Sequence, residues 1–114
     1  MGEHERLLLA DDSSLTLDSL QRVVAIGGHE VAALAHSVDE VIAAVDNPQT
    51  KFSLAIVDGK MPEEGDGERA AKYIKEKRPE VKVMQCSTRL GDWGDIRIEK
   101  GFSMREMLDA IRRV

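Results

Sequence analysis

Residues 52–62 read F-S-L-A-I-V-D-G-K-M-P. The run from Phe52 to Val57 is almost wholly apolar and stops abruptly at Asp58. A strand of that kind needs cover on both faces, which is the condition of a strand inside a parallel sheet. Working outward, the same signature recurs on either side. Upstream, Arg6 to Ala10 (R-L-L-L-A) runs into Asp11 and Asp12. Downstream, Val81 to Cys86 (V-K-V-M-Q-C) ends at Ser87. Glu30 to Ala35 and the short Asp95 to Glu99 complete the set of predicted strands.

Helical patterns fill the intervals. Ser13 and Ser14 offer an N-cap, Leu17, Leu20 and Val24 follow at helical spacing, and Gly27-Gly28 ends the helix. Ser37-Val38-Asp39-Glu40 has the form of a capping box, and Asn47-Pro48 terminates the helix it opens. A glycine-rich turn with Pro62, Gly65 and Gly67 leads into a helix from about Glu68 to Lys77, closed by Pro79. A second capping box, Ser103-Met104-Arg105-Glu106, starts the last helix, with Met104, Leu108 and Ile111 on one face. Strands alternating with helices imply an α/β fold with a parallel sheet.

Ligands of such sheets bind beyond the carboxyl ends of the strands. There the chain places Asp11 and Asp12, then Asp58, then Ser87, and finally Lys100. Each aspartate taken alone is an ordinary turn former, but five polar groups sharing one location are not explained that way. Carboxylates crowded at one sheet edge repel, and a hard divalent cation with oxygen ligands, Mg²⁺, relieves the repulsion. The expected metal ligands are Asp11, Asp12 and Asp58, with a backbone group at Lys60 as a further donor. Asp58, from the middle of the sheet, is the candidate nucleophile toward a phosphodonor. Ser87 and Lys100 would complete the cradle for the phosphoryl group.

Composition narrows the alternatives. At 114 residues there is room for one domain over 1–114 and none for an effector domain. The apolar fraction of 42% supplies a core, and with 4% aromatics that core is aliphatic. A net charge of -5 argues against a nucleic-acid-binding surface, which needs clustered Lys and Arg. The lone Cys86 admits no internal disulfide, suits a reducing cytoplasm, and reads as a small buried hydrophobe. The start at Met1-Gly2-Glu3 has neither a secretion signal nor a myristoylation motif, and no stretch is long enough to span a membrane. His4, His29 and His36 show no ligand spacing and read as surface or strand-end residues.

Four stretches carry a family resemblance: R-L-L-L-A-D-D-S at the first strand, L-A-I-V-D-G-K-M-P around Asp58, V-K-V-M-Q-C-S-T at the fourth strand, and E-K-G-F before the last helix. In these the chain resembles the CheY-like receiver domains of bacterial two-component response regulators. The resemblance implies a flavodoxin-like, doubly wound five-stranded parallel sheet in the order 2-1-3-4-5. It implies Asp11 and Asp12 as the acidic metal pair, Asp58 as phosphoacceptor, Ser87 as switch hydroxyl and Lys100 as the lysine that holds the phosphoryl group. A sensor histidine kinase or phosphotransfer protein would be the donor, and output would pass through protein contact. The chain is thus expected to relay a signal rather than turn over a substrate.

Departures from the family pattern concentrate downstream of Ser87. The span from Ser87 to Lys100, which includes R-L-G-D-W-G, is too short for a helical crossover of about a dozen residues plus its connections. The family's fourth helix is therefore expected to be replaced by a short loop. Either the fifth strand stays parallel and keeps Lys100 at the site, or it turns antiparallel and carries Lys100 away. The first is favoured, because Lys100-Gly101-Phe102 still leads into a capped helix. Gly101 stands where the family generally has proline, Arg97 where it has an aromatic rotamer switch, and the loop 63–67 is one residue longer. Without its helix the sheet is expected to expose an apolar patch, a surface for a partner or homodimer through strands 4–5 and the Arg89–Gly94 loop. Trp93 is either the anchor of that surface or a ring folded back to plug the gap. Lys60 and Arg89 flank the site and either adjust the lifetime of the phosphoryl group or are solvated charges.

Two rival classes compete with this reading. A degenerate domain acting as a phosphorylation-independent docking or dimerisation module is the main alternative. A Mg²⁺-dependent phosphatase or nucleotide-binding enzyme lacks support: there is no G-x-G-x-x-G after the first strand, no P-loop, and no acid two positions after Asp58.

Overall fold

The computed structural model describes residues 4–114, so the readings at Met1 and Gly2 lie outside it. In chain order the elements are β1 (Arg6–Ala10), α1 (Ser14–Ile26), β2 (Glu30–Ala35), α2 (Val38–Asp46), β3 (Leu54–Val57), α3 (Asp66–Lys77), β4 (Lys82–Ser87), β5 (Ile96–Glu99) and α4 (Met104–Arg112). All five strands are parallel, in the order β2-β1-β3-β4-β5. This is the flavodoxin-like α/β fold expected from the sequence.

The alternation of side chains along the strands builds two cores. Leu8, Ala10, Ala55, Val57 and Val83 face Val41 and Val45 of α2 and Ala70, Ala71 and Ile74 of α3. Leu7, Leu9, Leu54, Ile56, Met84 and Cys86 face Leu17, Leu20 and Val24 of α1 and Met107, Ala110 and Ile111 of α4. The period of two in the strands sends successive residues to opposite faces, so a nearly continuous apolar run serves both.

Several boundaries differ from the sequence-based expectation. Strand β3 begins at Leu54, although Phe52 is buried; its ring lies under the Arg78 guanidinium at 4.7 Å and contributes to the core rather than the ladder. Helix α3 begins at Asp66, ahead of Glu68, because the buried Asp66 carboxylate accepts from the Glu63 N–H (3.0 Å) and closes the turn early. At Ser37 only half the capping box forms. The Ser37 hydroxyl accepts from Glu40 N–H, but the Glu40 carboxylate takes the His36 N–H (2.7 Å), one residue before the cap. The box at Ser103 is complete. On α4 the buried face is Met107, Ala110 and Ile111, while Met104 is exposed at 46%.

No helix lies between β4 and β5, and the chain crosses as an extended loop that keeps β5 parallel. What remains of the expected exposed apolar patch is an open groove of about 520 Å³ beside α3, where Ala71, Val83 and Trp93 are flanked by Glu68, Lys72, Lys75 and Asp95. On the side where a helix would pack, β5 presents the exposed Arg97 and Glu99, while Ile96 and Ile98 turn to the α1–α4 core. Trp93 is half-buried against the other core, which agrees with the plug reading. The loop itself is held by Gln85, fully buried in β4. Its Nε2 donates to the carbonyls of Gly91 (3.1 Å) and Trp93 (2.7 Å), and its Oε1 accepts from Gly91 N–H (2.7 Å). A buried amide with its polar atoms satisfied thus does locally what a packed helix would do.

Candidate functional site

Each site residue is set by the end of its strand. Asp11 stays in register beyond β1 by donating its backbone N–H to Ala35 (3.0 Å), and its Oδ1 accepts from Ser13 N–H (2.9 Å), which turns the chain into α1. Its other oxygen, Oδ2, accepts from Lys100 Nζ at 2.9 Å. Asp58 is placed by its backbone N–H on Ala10 (2.9 Å), and its Oδ2 lies 3.2 Å from Lys100 Nζ. The Asp58 Oδ1 accepts a long hydrogen bond from Lys60 N–H (3.4 Å). Ser87, buried at the end of β4, accepts from Gly59 N–H at 3.1 Å, so its own O–H is free to donate elsewhere. Lys100 follows β5 and is anchored by its backbone N–H on the Ser87 carbonyl (2.8 Å). The parallel course of β5 is what brings the ammonium to the carboxylates.

Two glycines permit this closeness. A Cβ at Gly67 would fall 2.0 Å from the Asp58 carbonyl oxygen, so only glycine lets α3 start against the loop after β3. A Cβ at Gly59 would lie 2.7 Å from the Ser87 hydroxyl.

Asp11 and Asp58 are buried, and Asp12 is exposed. One oxygen from each of the three lies within 4.8 Å of the others. Burial pushes the Asp58 carboxyl above the usual aspartate range, the Asp11 charge adds to that, and Lys100 opposes it. For Lys100 burial works against the ammonium, but the hydrogen bond to Asp11 and the charges of Asp11 and Asp58 outweigh it and raise its pKa. The cluster holds three carboxylates against one ammonium in contact, all with hard oxygen donors. That donor set fits a divalent cation of the Mg²⁺ type. Cys86 lies just behind, its thiol pushed up to about 12 by burial, which accords with a structural hydrophobe rather than a reactive thiol.

The site opens into a groove of about 860 Å³ lined by Asp12, Asp58, Lys60, Ser87, Arg89 and Trp93 among others. All five predicted convergent residues (Asp11, Asp12, Asp58, Ser87 and Lys100) therefore meet, with Lys60 and Arg89 at the mouth. The sequence places Gly67 in a turn without showing its approach to Asp58, and it gives Gln85 no role. The signal for Gln85 was a lone amide inside an apolar strand, V-M-Q-C, which demands partners when buried.

A family model described as the response regulator receiver domain matches residues 7–112. Among solved structures, a CheY-like receiver domain protein of Methanospirillum hungatei is 25% identical, with a TM-score of 0.85, over 96% of this chain and 91% of that one. A receiver protein of Sinorhizobium medicae is 21% identical (TM-score 0.83; 97% and 94% covered). A chain of the CheX–CheY–BeF3–Mg²⁺ complex of Borrelia burgdorferi is 21% identical (TM-score 0.82; 95% and 87% covered). No curated protein matches the chain.

Proposed function

Because the chain belongs to the response regulator receiver domain family, we propose that it accepts a phosphoryl group on Asp58 and relays a signal by protein contact. The observation that carries this reading is the convergence of Lys100 on Asp11 and Asp58, at 2.9 and 3.2 Å, across a loop that has lost its helix. In the transfer, an Asp58 carboxylate oxygen bonds to phosphorus as the bond from phosphorus to the donor breaks, and the leaving group departs with that electron pair. Lys100 then pairs with a phosphoryl oxygen, and the Ser87 hydroxyl, oriented by Gly59 N–H, donates to another. Asp11, Asp12, Asp58 and a backbone group at Lys60 are the residues that would hold Mg²⁺. Bound there, the cation offsets the charge on the transferring oxygens.

The donor by this reading is a sensor histidine kinase or a phosphotransfer protein. The domain has no turnover role beyond gaining and losing its own phosphoryl group. No helix among the described residues is long and apolar enough to cross a membrane; a cytoplasmic setting is part of the proposal. The test is intact-protein mass after incubation with Mg²⁺ and acetyl phosphate, beside Asp58→Ala. A single phosphoryl adduct on the wild type alone is expected. No adduct on either would favour a docking module that works without phosphorylation.

A further inference from the structure

We propose that two copies of this chain pair edge to edge, antiparallel, through β5, in one register set by Arg97 and Glu99. Strand β5 closes one end of the sheet, with no strand beyond it among the described residues. Just ahead of the strand the Asp95 N–H donates to Val83 (2.7 Å), and from there to Lys100 the register of β5 on β4 sets which residues face it. The Lys100 N–H donates to Ser87 (2.8 Å), and the register sets Arg97 beside Gln85 and Glu99 beside Ser87. The ladder is thus carried by Ile98 and Lys100, and the N–H and C=O groups of Arg97 and Glu99 point away from β4 across the open edge.

An unpaired edge is a template for another strand, and charges along it normally keep partners off. Here the charges are opposite and two residues apart, which makes them self-complementary in an antiparallel pair. A two-fold axis at Ile98 sets Arg97 opposite the second copy's Glu99, and Glu99 opposite its Arg97. Both are hydrogen-bonded pairs, each exchanging two backbone bonds. An axis at Arg97 or at Glu99 would set like charges face to face. The Ile98 side chains, half-buried on the α1–α4 side, meet at the axis. On the opposite side no helix stands between β4 and β5 to obstruct the incoming strand. The Arg97 guanidinium is already steadied there, its Nε donating to the Trp93 carbonyl (3.2 Å). This pairing needs no phosphoryl group and does not rest on the reading of Asp58.

So short a pairing supports a weak, reversible dimer, measured by sedimentation of the full chain from about 10 µM to 1 mM. The weight-average mass of the wild type is expected to rise toward the dimer with concentration. Arg97→Glu and Glu99→Arg should each weaken association by roughly ten-fold or more, and the double reversal should restore it. A second readout needs no variant. By NMR, hydrogen exchange at the Arg97 and Glu99 amides should slow with concentration, while that at Ile98 and Lys100, on the β4 side of the strand, should not change. A wild type that stays monomeric to the top of the range overturns the proposal. So does a dimer indifferent to the single reversals, one the double reversal fails to recover in a folded variant, or one that leaves the two edge amides unprotected.

Discussion

The side-chain amide of Gln85 donates to the backbone carbonyl of Trp93 across 2.7 Å, from inside a strand to the loop that takes the place of a helix. With the two bonds to Gly91, it makes one buried side chain responsible for the crossing from β4 to β5. Gln85→Leu would fill the same space while leaving the Gly91 N–H and the two loop carbonyls without that partner. The expected loss is about 2–4 kcal/mol by urea unfolding, with a red shift of Trp93 emission as the ring leaves its seat. An unchanged emission maximum and midpoint would show that the loop is held by other contacts.

Gly67 is the tightest backbone approach at the site, with a Cβ there only 2.0 Å from the Asp58 carbonyl oxygen. Gly67→Ala is therefore expected to destabilise by about 1–3 kcal/mol, despite alanine's better helix propensity. It should also weaken Mg²⁺ binding, since the acceptor loop must retreat. A gain in thermal stability would contradict the contact.

Asp58 supplies a pH signature. Its carboxyl in the folded chain titrates above the ordinary value of 3.8, chiefly through burial, so the native state holds that proton more tightly than the unfolded chain. The contribution to stability is present at low pH and is lost as pH rises from 3.8 through the raised native value. Asp58→Asn removes it. In chelator-treated buffer, the stability of the variant relative to wild type should climb over that window and stay higher at neutral pH. A difference that is flat with pH would mean that the carboxyl is unperturbed.

Lys100 is the ammonium in contact with the buried acids, 2.9 Å from Asp11 and 3.2 Å from Asp58. Lys100→Met should lower stability without metal by about 1–3 kcal/mol, because two carboxylates lose their partner. Saturating Mg²⁺ should then raise the melting temperature more in the variant than in wild type. Equal shifts would indicate that the lysine and the cation do not answer the same repulsion.

The sheet was legible because three apolar runs stop at carboxylates or a serine, and strand ends are where an α/β fold gathers its polar groups. That logic carried Asp11, Asp12, Asp58 and Ser87 to one place. Lys100 depended on the direction of β5, which the sequence left open between two courses; the capped helix after Phe102 pointed to the parallel one. The exposed apolar patch is narrower than a lost helix implies, a groove beside Ala71, Val83 and Trp93. Arg97 and Glu99 had already made that side of β5 polar, and Trp93 with Gln85 covers β4. Gln85 escaped notice because its partners are loop backbone atoms, which leave no pattern of residue types. Met104 was misplaced by one helical step, since Met104 and Met107 fit the same apolar spacing and only packing against α1 chooses between them.

The contact between Asp11 and Lys100 spans 89 positions of the chain. A growing polypeptide releases Asp11 89 positions before Lys100. Until β5 docks, the acids lack the Lys100 ammonium that the folded chain sets against them. Closing so long a loop is slow compared with forming local helices. Competence at the acidic cluster is thereby tied to completion of the sheet, and a fragment released before β5 would carry the carboxylates without the cation meant to meet them.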